Sequence, residues 1–202
     1  MTQQKESVVT PERFASGMTW EQYLEHIKRN QGKFEYNHSE TVLTDEDVEV
    51  FRSLAAAADG AAKVLALGED WCPDVVRGLP VMARIANAAG MELRIFPRDD
   101  NMDIMNEFLN QGEHQSIPVF VFYSKDHRYI AHWTERPAKA NAELGEMQAM
   151  LEGKEQEERR TLYNEFQQGP VWASWRQATV QELRALLQET TGSSRRRAND
   201  IR

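Results

Sequence analysis

Helix-spaced apolar residues dominate the first sixty positions, and short apolar runs take over after them. Trp20, Tyr23, Leu24 and Ile27 recur at helical spacing behind Thr19-Trp20-Glu21-Gln22, which has the form of a capping box. A polar break is expected from Asn30 to Glu40. Thr44 then caps a second helix whose first turn carries Asp45, Glu46 and Asp47, where the helix dipole favours anions. Val48, Phe51, Leu54 and Ala55 line one face of it, and Asp59-Gly60 ends it.

Lys63 to Gly68 is a short apolar run of the kind that forms a buried strand. Pro73 to Ala89 reads as a helix closed by Gly90, Glu92 to Phe96 as a second strand, and Met102 to Leu109 as a short helix. Pro118 to Tyr123 and Arg128 to Thr134 are two more strands around the turn Lys125-Asp126-His127. The order is β-α-β-α-β-β. The strand–helix–strand units imply parallel pairing and the short turn an antiparallel hairpin. Ala138 to Gln168 is charged and helix-forming, with Leu144, Met147, Met150 and Leu151 as its apolar stripe. Gly169-Pro170 is expected to break it, Trp172 and Trp175 to lie in a linker, and Thr179-Val180-Gln181-Glu182 to cap a last helix. The two tryptophans are expected to pack the terminal helices onto the core.

A chain of 202 residues can bury a core without staples, and 41% hydrophobic with 28% charged residues is an ordinary globular balance. The net charge of −8 argues against nucleic-acid binding, which needs cations for phosphate. No apolar run is long enough for a bilayer, and the polar start, Met1 to Ser7, lacks a signal-peptide core. The expectation is a cytoplasmic protein with no membrane partner. Arg195-Arg196-Arg197 reads as part of a solvated, disordered tail.

The chain has one cysteine, Cys72, so it can form no internal disulfide and no multi-cysteine zinc site. The five histidines lack metal-binding spacing; His127 and His132 flank Tyr129 and Ile130 in a strand-like stretch and read as packed or solvated. No metal or cofactor is expected. Cys72 lies in Asp70-Trp71-Cys72-Pro73-Asp74-Val75, between a buried strand and a helix. Pro73 suits the first helical position, which puts Cys72 at the helix N-terminus. There the free N–H groups favour a thiolate, so a lowered thiol pKa is expected, with Arg77 adding to the effect and Asp74 opposing it.

These residues carry a resemblance. From about Lys63 to Arg136 the chain resembles the thioredoxin superfamily. Trp71-Cys72-Pro73 is similar to the start of that family's Trp-Cys-x-x-Cys site, Pro80 to its helix-kinking proline, and Ile117-Pro118 to its cis-proline beside the active cysteine. The preceding helix pair resembles an extension in a bacterial branch of thioredoxin-like proteins. The resemblance implies an α/β thioredoxin-like fold with a mixed four-stranded sheet. Together with the helical patterns and the polar end, it gives an expected division into an N-terminal helical extension (1–60), a thioredoxin-like domain (61–151), a C-terminal helical extension (152–191) and a disordered basic tail (192–202). It implies that the backbone of Ile117 pairs with an extended substrate and that Trp71, Pro73, Ile117 and Pro118 form the binding surface around Cys72.

Two positions depart from the family. Val75 stands where thioredoxins carry the resolving cysteine, and Ala66 where many bury an acid. Dithiol reduction is therefore not expected. A one-cysteine thiol–disulfide oxidoreductase remains, acting through Cys72 on a protein or small-thiol substrate with an external thiol as reductant. The alternatives are a non-catalytic peptide- or protein-binding module and a one-cysteine redox sensor.

Overall fold

Val64, Leu65, Ala66 and Leu67 are all fully buried, so the strand they form, β1 (Lys63–Gly68), runs through the middle of the molecule. The computed structural model describes residues 7–199, and the side chains of 192–199 are not among what it describes. β1 pairs in parallel with β2 (Glu92–Pro97) and antiparallel with β3 (Val119–Tyr123), and β3 pairs antiparallel with β4 (Tyr129–Thr134). The sheet order is β2-β1-β3-β4. This is the expected mixed four-stranded sheet of a thioredoxin-like α/β fold.

One pairing differs from expectation. The second strand–helix–strand unit is not a parallel crossover. Its helix, α6 (Met102–Met105), is a single turn and cannot carry the chain back along the sheet. The chain therefore enters β3 at the end where β2 leaves, with Val119 opposite Leu67. As a result the chain leaves β1 and β2, enters β3 and leaves β4 at one end of the sheet.

Helix α5 (Pro73–Ala89) packs on this sheet. Pro73 occupies its first turn, Pro80 lies inside it, and Gly90 caps it at φ 72°. Leu79, Met82 and Ile85 are fully buried, each contributing about 1.5–3 kcal/mol. Helix α4 (Asp45–Ala56) lies against α5 through Phe51 and Leu54; Thr44 is its N-cap, as expected, and forms a capping box with Asp47.

The N-terminal part holds more helix than the pattern shows. α1 (Pro11–Ala15) precedes α2 (Trp20–His26), and the expected break from Asn30 to Glu40 contains α3 (Gln31–Ser39). α3 has almost no amphipathic pattern. It is held by one fully buried ring, Phe34, whose centroid lies 5.8 Å from that of Tyr23 and 6.4 Å from that of Trp20, and by packing on α5.

The C-terminal part is also cut differently. Gly153, at φ 68°, separates α7 (Ala138–Leu151) from α8 (Gln156–Phe166), and Pro170 starts the helix α9 (Pro170–Asn199) instead of a linker. Trp172 and Trp175 are thus helical. Glu182 does not close a capping box: its carboxylate accepts from Trp133 Nε1 at 3.0 Å and from Ala138 N–H at 2.6 Å. α9 packs on α4, α5 and β4 through Val180, Leu183 and Leu187, whereas α7 buries only Ala140. α9 continues to Asn199, through the start of the expected tail; residues 200–202 lie outside the described residues. Side chains from α1 to α4, the sheet, α5 and α9 share one core. No helix among the described residues is long and apolar enough to cross a membrane.

Candidate functional site

Cys72 follows β1 by a short turn and is the N-cap of α5, with its backbone extended at φ −82° and ψ 121°. Pro118 immediately precedes β3, and Val119 pairs with Leu67, so the same end of the sheet brings the two together. The Ile117–Pro118 peptide bond is cis. Cys72 Sγ lies 3.7 Å from the Ile117 carbonyl oxygen and donates to it. The Ile117 N–H meets no acceptor among the described residues. Gly78 lets α5 approach this strand: a Cβ there would stand 3.2 Å from Pro118 Cγ.

Exposure around the thiol is uneven. Cys72 is only 9% exposed and Ile117 and Pro118 are buried, while Trp71 is 45% exposed and Pro73 is also open to solvent. Arg98 stacks its guanidinium over the Trp71 ring at 5.2 Å and donates to the Gln115 carbonyl. The structure therefore brings Trp71, Cys72, Pro73, Ile117 and Pro118 to one place.

The electrostatics correct the sequence expectation. Burial pushes the Cys72 thiol up, and Asp74 adds to that. The backbone N–H groups of Val75 and Asp74 and the Arg136 guanidinium pull the other way, and burial prevails. The hydrogen bond to Ile117 works in the same direction as burial, because only the protonated sulfur can donate it. Arg77 is not the cation at the thiol. Its side chain is 1% exposed, ion-paired to Asp74 at 2.8 Å, with its guanidinium 5.1 and 5.5 Å from the Trp172 and Trp175 rings. It fastens α9 to α5. Arg136, from the connection after β4, reaches the other Asp74 oxygen at 3.0 Å.

Val75 and Ala66, the two departures from the thioredoxin pattern, are both fully buried. Val75 packs on Gly68. Glu69 accepts from the Asp99 N–H at 2.8 Å, and burial raises its carboxyl. Asp70 faces away from the thiol: its Oδ2 accepts from the N–H groups of Lys28 and Arg29, and its carbonyl from Asn30 Nδ2.

Sequence reasoning missed three groups. Arg136 sits in a turn without a motif. Tyr23 and Tyr163, from α2 and α8, are phenols close enough to Cys72 to interact with it electrostatically. Burial comes first in raising both, and Tyr163 is pushed up to about 12. Tyr23 shows in the sequence only as a core position of α2, and α8 has no buried residue that would mark its contact with the site. Among the described residues no group of His, Cys, Asp and Glu side chains could hold a metal ion.

Comparison with known proteins agrees with this architecture. No curated protein matches the sequence. Two solved structures share the fold. One is PA1234, a Pseudomonas aeruginosa protein of unknown function: it is 16% identical, with a TM-score of 0.65 over 90% of this chain and 98% of that one. The other is an HIV epitope-scaffold protein, 19% identical, with a TM-score of 0.62 over 91% of this chain and 99% of that one. The sequence model of the family described as Thioredoxin matches residues 17–150, which is more than half of the chain and includes α2 to α4 as well as the whole sheet. The chain belongs to the thioredoxin family.

Proposed function

We propose that this end of the sheet binds an extended peptide segment beside Pro118, with Cys72 serving as a protonated, slowly reacting thiol at its centre. The observation that carries the reading is the Cys72–Ile117 hydrogen bond. It occupies the thiol proton, while the Ile117 N–H and a second lone pair on its carbonyl stay available for strand-type pairing. Exposed Trp71 and Pro73 supply apolar contact next to that edge. With Val75 in place of a second thiol, a mixed disulfide at Cys72 would have no internal route of release.

Peptides selected from a random library on the intact chain test this. The Cys72→Ala variant is expected to bind them as tightly as the parent. Loss of binding on removing the thiol, or failure to select any peptide, overturns the reading.

The one-cysteine exchange cycle is the second reading. It is favoured by the Val75 and Asp74 N–H groups and Arg136, which stabilise a thiolate once one forms. Reduction of insulin disulfides with glutathione separates the two. A rate that disappears in Cys72→Ala supports exchange; equal rates support binding.

A further inference from the structure

A second pocket lies at the opposite end of the sheet. Tyr123, at the end of β3, pairs with Lys63, the first residue of β1, about 13 Å along the strand from the Pro118 end. The pocket has a volume of about 460 Å³, within the range of small-ligand sites. Phe108, Tyr123, His127 and Tyr129 give it aromatic walls, and Ser7 and Glu107 its polar rim.

The walls are built rather than incidental. His127 holds a left-handed backbone at φ 62°, uncommon for a residue with a side chain. This turn lays its ring flat on Tyr123, with centroids 4.5 Å apart and planes 2° from parallel. Tyr129 stands at 78° to Tyr123 and 18° to Phe108, with centroids 6.4 and 6.3 Å away. The result is a corner of π faces, with Tyr129 itself 52% exposed at the mouth.

The polar groups inside it are mostly acceptors. Tyr123 is 3% exposed and its hydroxyl has no partner among the described residues, in a fold where buried polar groups are paired as a rule. His127 Nε2 donates to the Val9 carbonyl at 2.8 Å, so in the Nε2–H tautomer the buried Nδ1 is an acceptor, and it too has no partner among the described residues. Glu107 accepts from Ser7 Oγ at 2.6 Å and from the Val8 N–H at 2.7 Å, so each of its oxygens keeps a lone pair. Burial, and after it the Glu107 charge, push the Tyr123 phenol up, which keeps it neutral. Among the described residues no arginine or lysine lines the pocket.

We propose that this pocket binds a small organic cation: an ammonium or guanidinium group on a flat or short apolar body. The cation would face the aromatic corner and hydrogen-bond to Glu107, His127 Nδ1 and the Tyr123 oxygen. The apolar body would lie along Phe108 and Tyr129.

Calorimetric titration of the full chain at neutral pH tests the proposal. The probes are 2-phenylethylammonium, neutral 2-phenylethanol and anionic phenylacetate. Saturable binding of the cation is expected, about tenfold or more tighter than the alcohol, with no binding of the anion. Glu107→Gln should cost about tenfold in affinity for the cation, as the loss of one charge-assisted hydrogen bond. Because Glu107 also holds the Ser7–Val8 backbone, Tyr129→Ala serves as a second variant, and it should weaken the cation severalfold. NMR shift changes should cluster at Phe108, Tyr123 and Tyr129. Equal affinity for all three probes, no saturable binding, or binding unchanged in both variants would overturn the assignment and leave a pocket that holds water.

Discussion

Gly68 and Val75 fit each other so closely that a Cβ placed on Gly68 would lie 2.6 Å from Val75 Cγ1. The glycine ends β1 and the valine fills the first turn of α5, so this contact sets how near the helix starts to the strand. Gly68→Ala should destabilise the fold by about 1–3 kcal/mol, read as a lowered melting temperature. Adding Val75→Ala should recover part of the loss, because it removes the methyl that clashes. A double-mutant cycle that is merely additive would mean that the two residues are not coupled.

Val75→Cys should restore a dithiol. Position 75 is one helical turn beyond Cys72 and fully buried, and cysteine is smaller than valine. After mild oxidation the variant should show no free thiol, and the parent should keep one. Insulin reduction should rise above the parent's rate, since a mixed disulfide would then have an internal route of release.

The thiol should titrate above the free-cysteine value near 8.5, because burial and Asp74 both raise it. Alkylation rate against pH gives the midpoint. Asp74→Asn removes the opposing carboxylate and should move the midpoint down. Arg136→Met removes the stabilising cation and should move it up. A parent midpoint at or below about 8.5, or the reverse order of variants, would contradict this account of the site.

Asp47 joins α4 to α9 and should make that joint sensitive to acid. Burial alone would raise its carboxyl, but hydrogen bonds from Thr44, Arg184 and Gln181 outweigh burial and hold it below the usual carboxylate range. A group depressed in the fold contributes stability above its unfolded value, near 3.9, and loses it as pH falls through the folded value. The melting temperature should therefore drop more steeply below about pH 4 in the parent than in Asp47→Asn. The variant should be less stable at neutral pH by about 1–3 kcal/mol.

Those sites differ in how openly the sequence announces them. Trp71-Cys72-Pro73 and Ile117-Pro118 are local: the first needs only a helix start and the second only a strand start, and both are visible as residue order. The apolar runs of β1 and β3 are equally direct. What the sequence hides are contacts made between elements. α3 has one buried apolar ring and no stripe, so only its packing on α5 makes it a helix. Thr179 and Glu182 have the spacing of a cap, yet the interior of α9 continues through them, because Glu182 has better partners in Trp133 and Ala138. The thiol expectation failed for the same reason. Helix position is legible from Pro73, but burial depends on what closes over Cys72, and Arg77 is drawn off to two tryptophans nearly a hundred residues away.

Asp70 has a consequence in time. Its carboxylate caps the N–H groups of Lys28 and Arg29, 42 and 41 residues earlier, and its carbonyl holds Asn30. A ribosome delivers α2 and α3 long before it delivers the acceptor that joins them. Until Asp70 is made, those N–H groups lack the acceptor they have in the fold. The N-terminal helices therefore acquire their final placement after the loop that carries Cys72 has emerged, and the docking of the first third of the chain and the shaping of that loop become one late event.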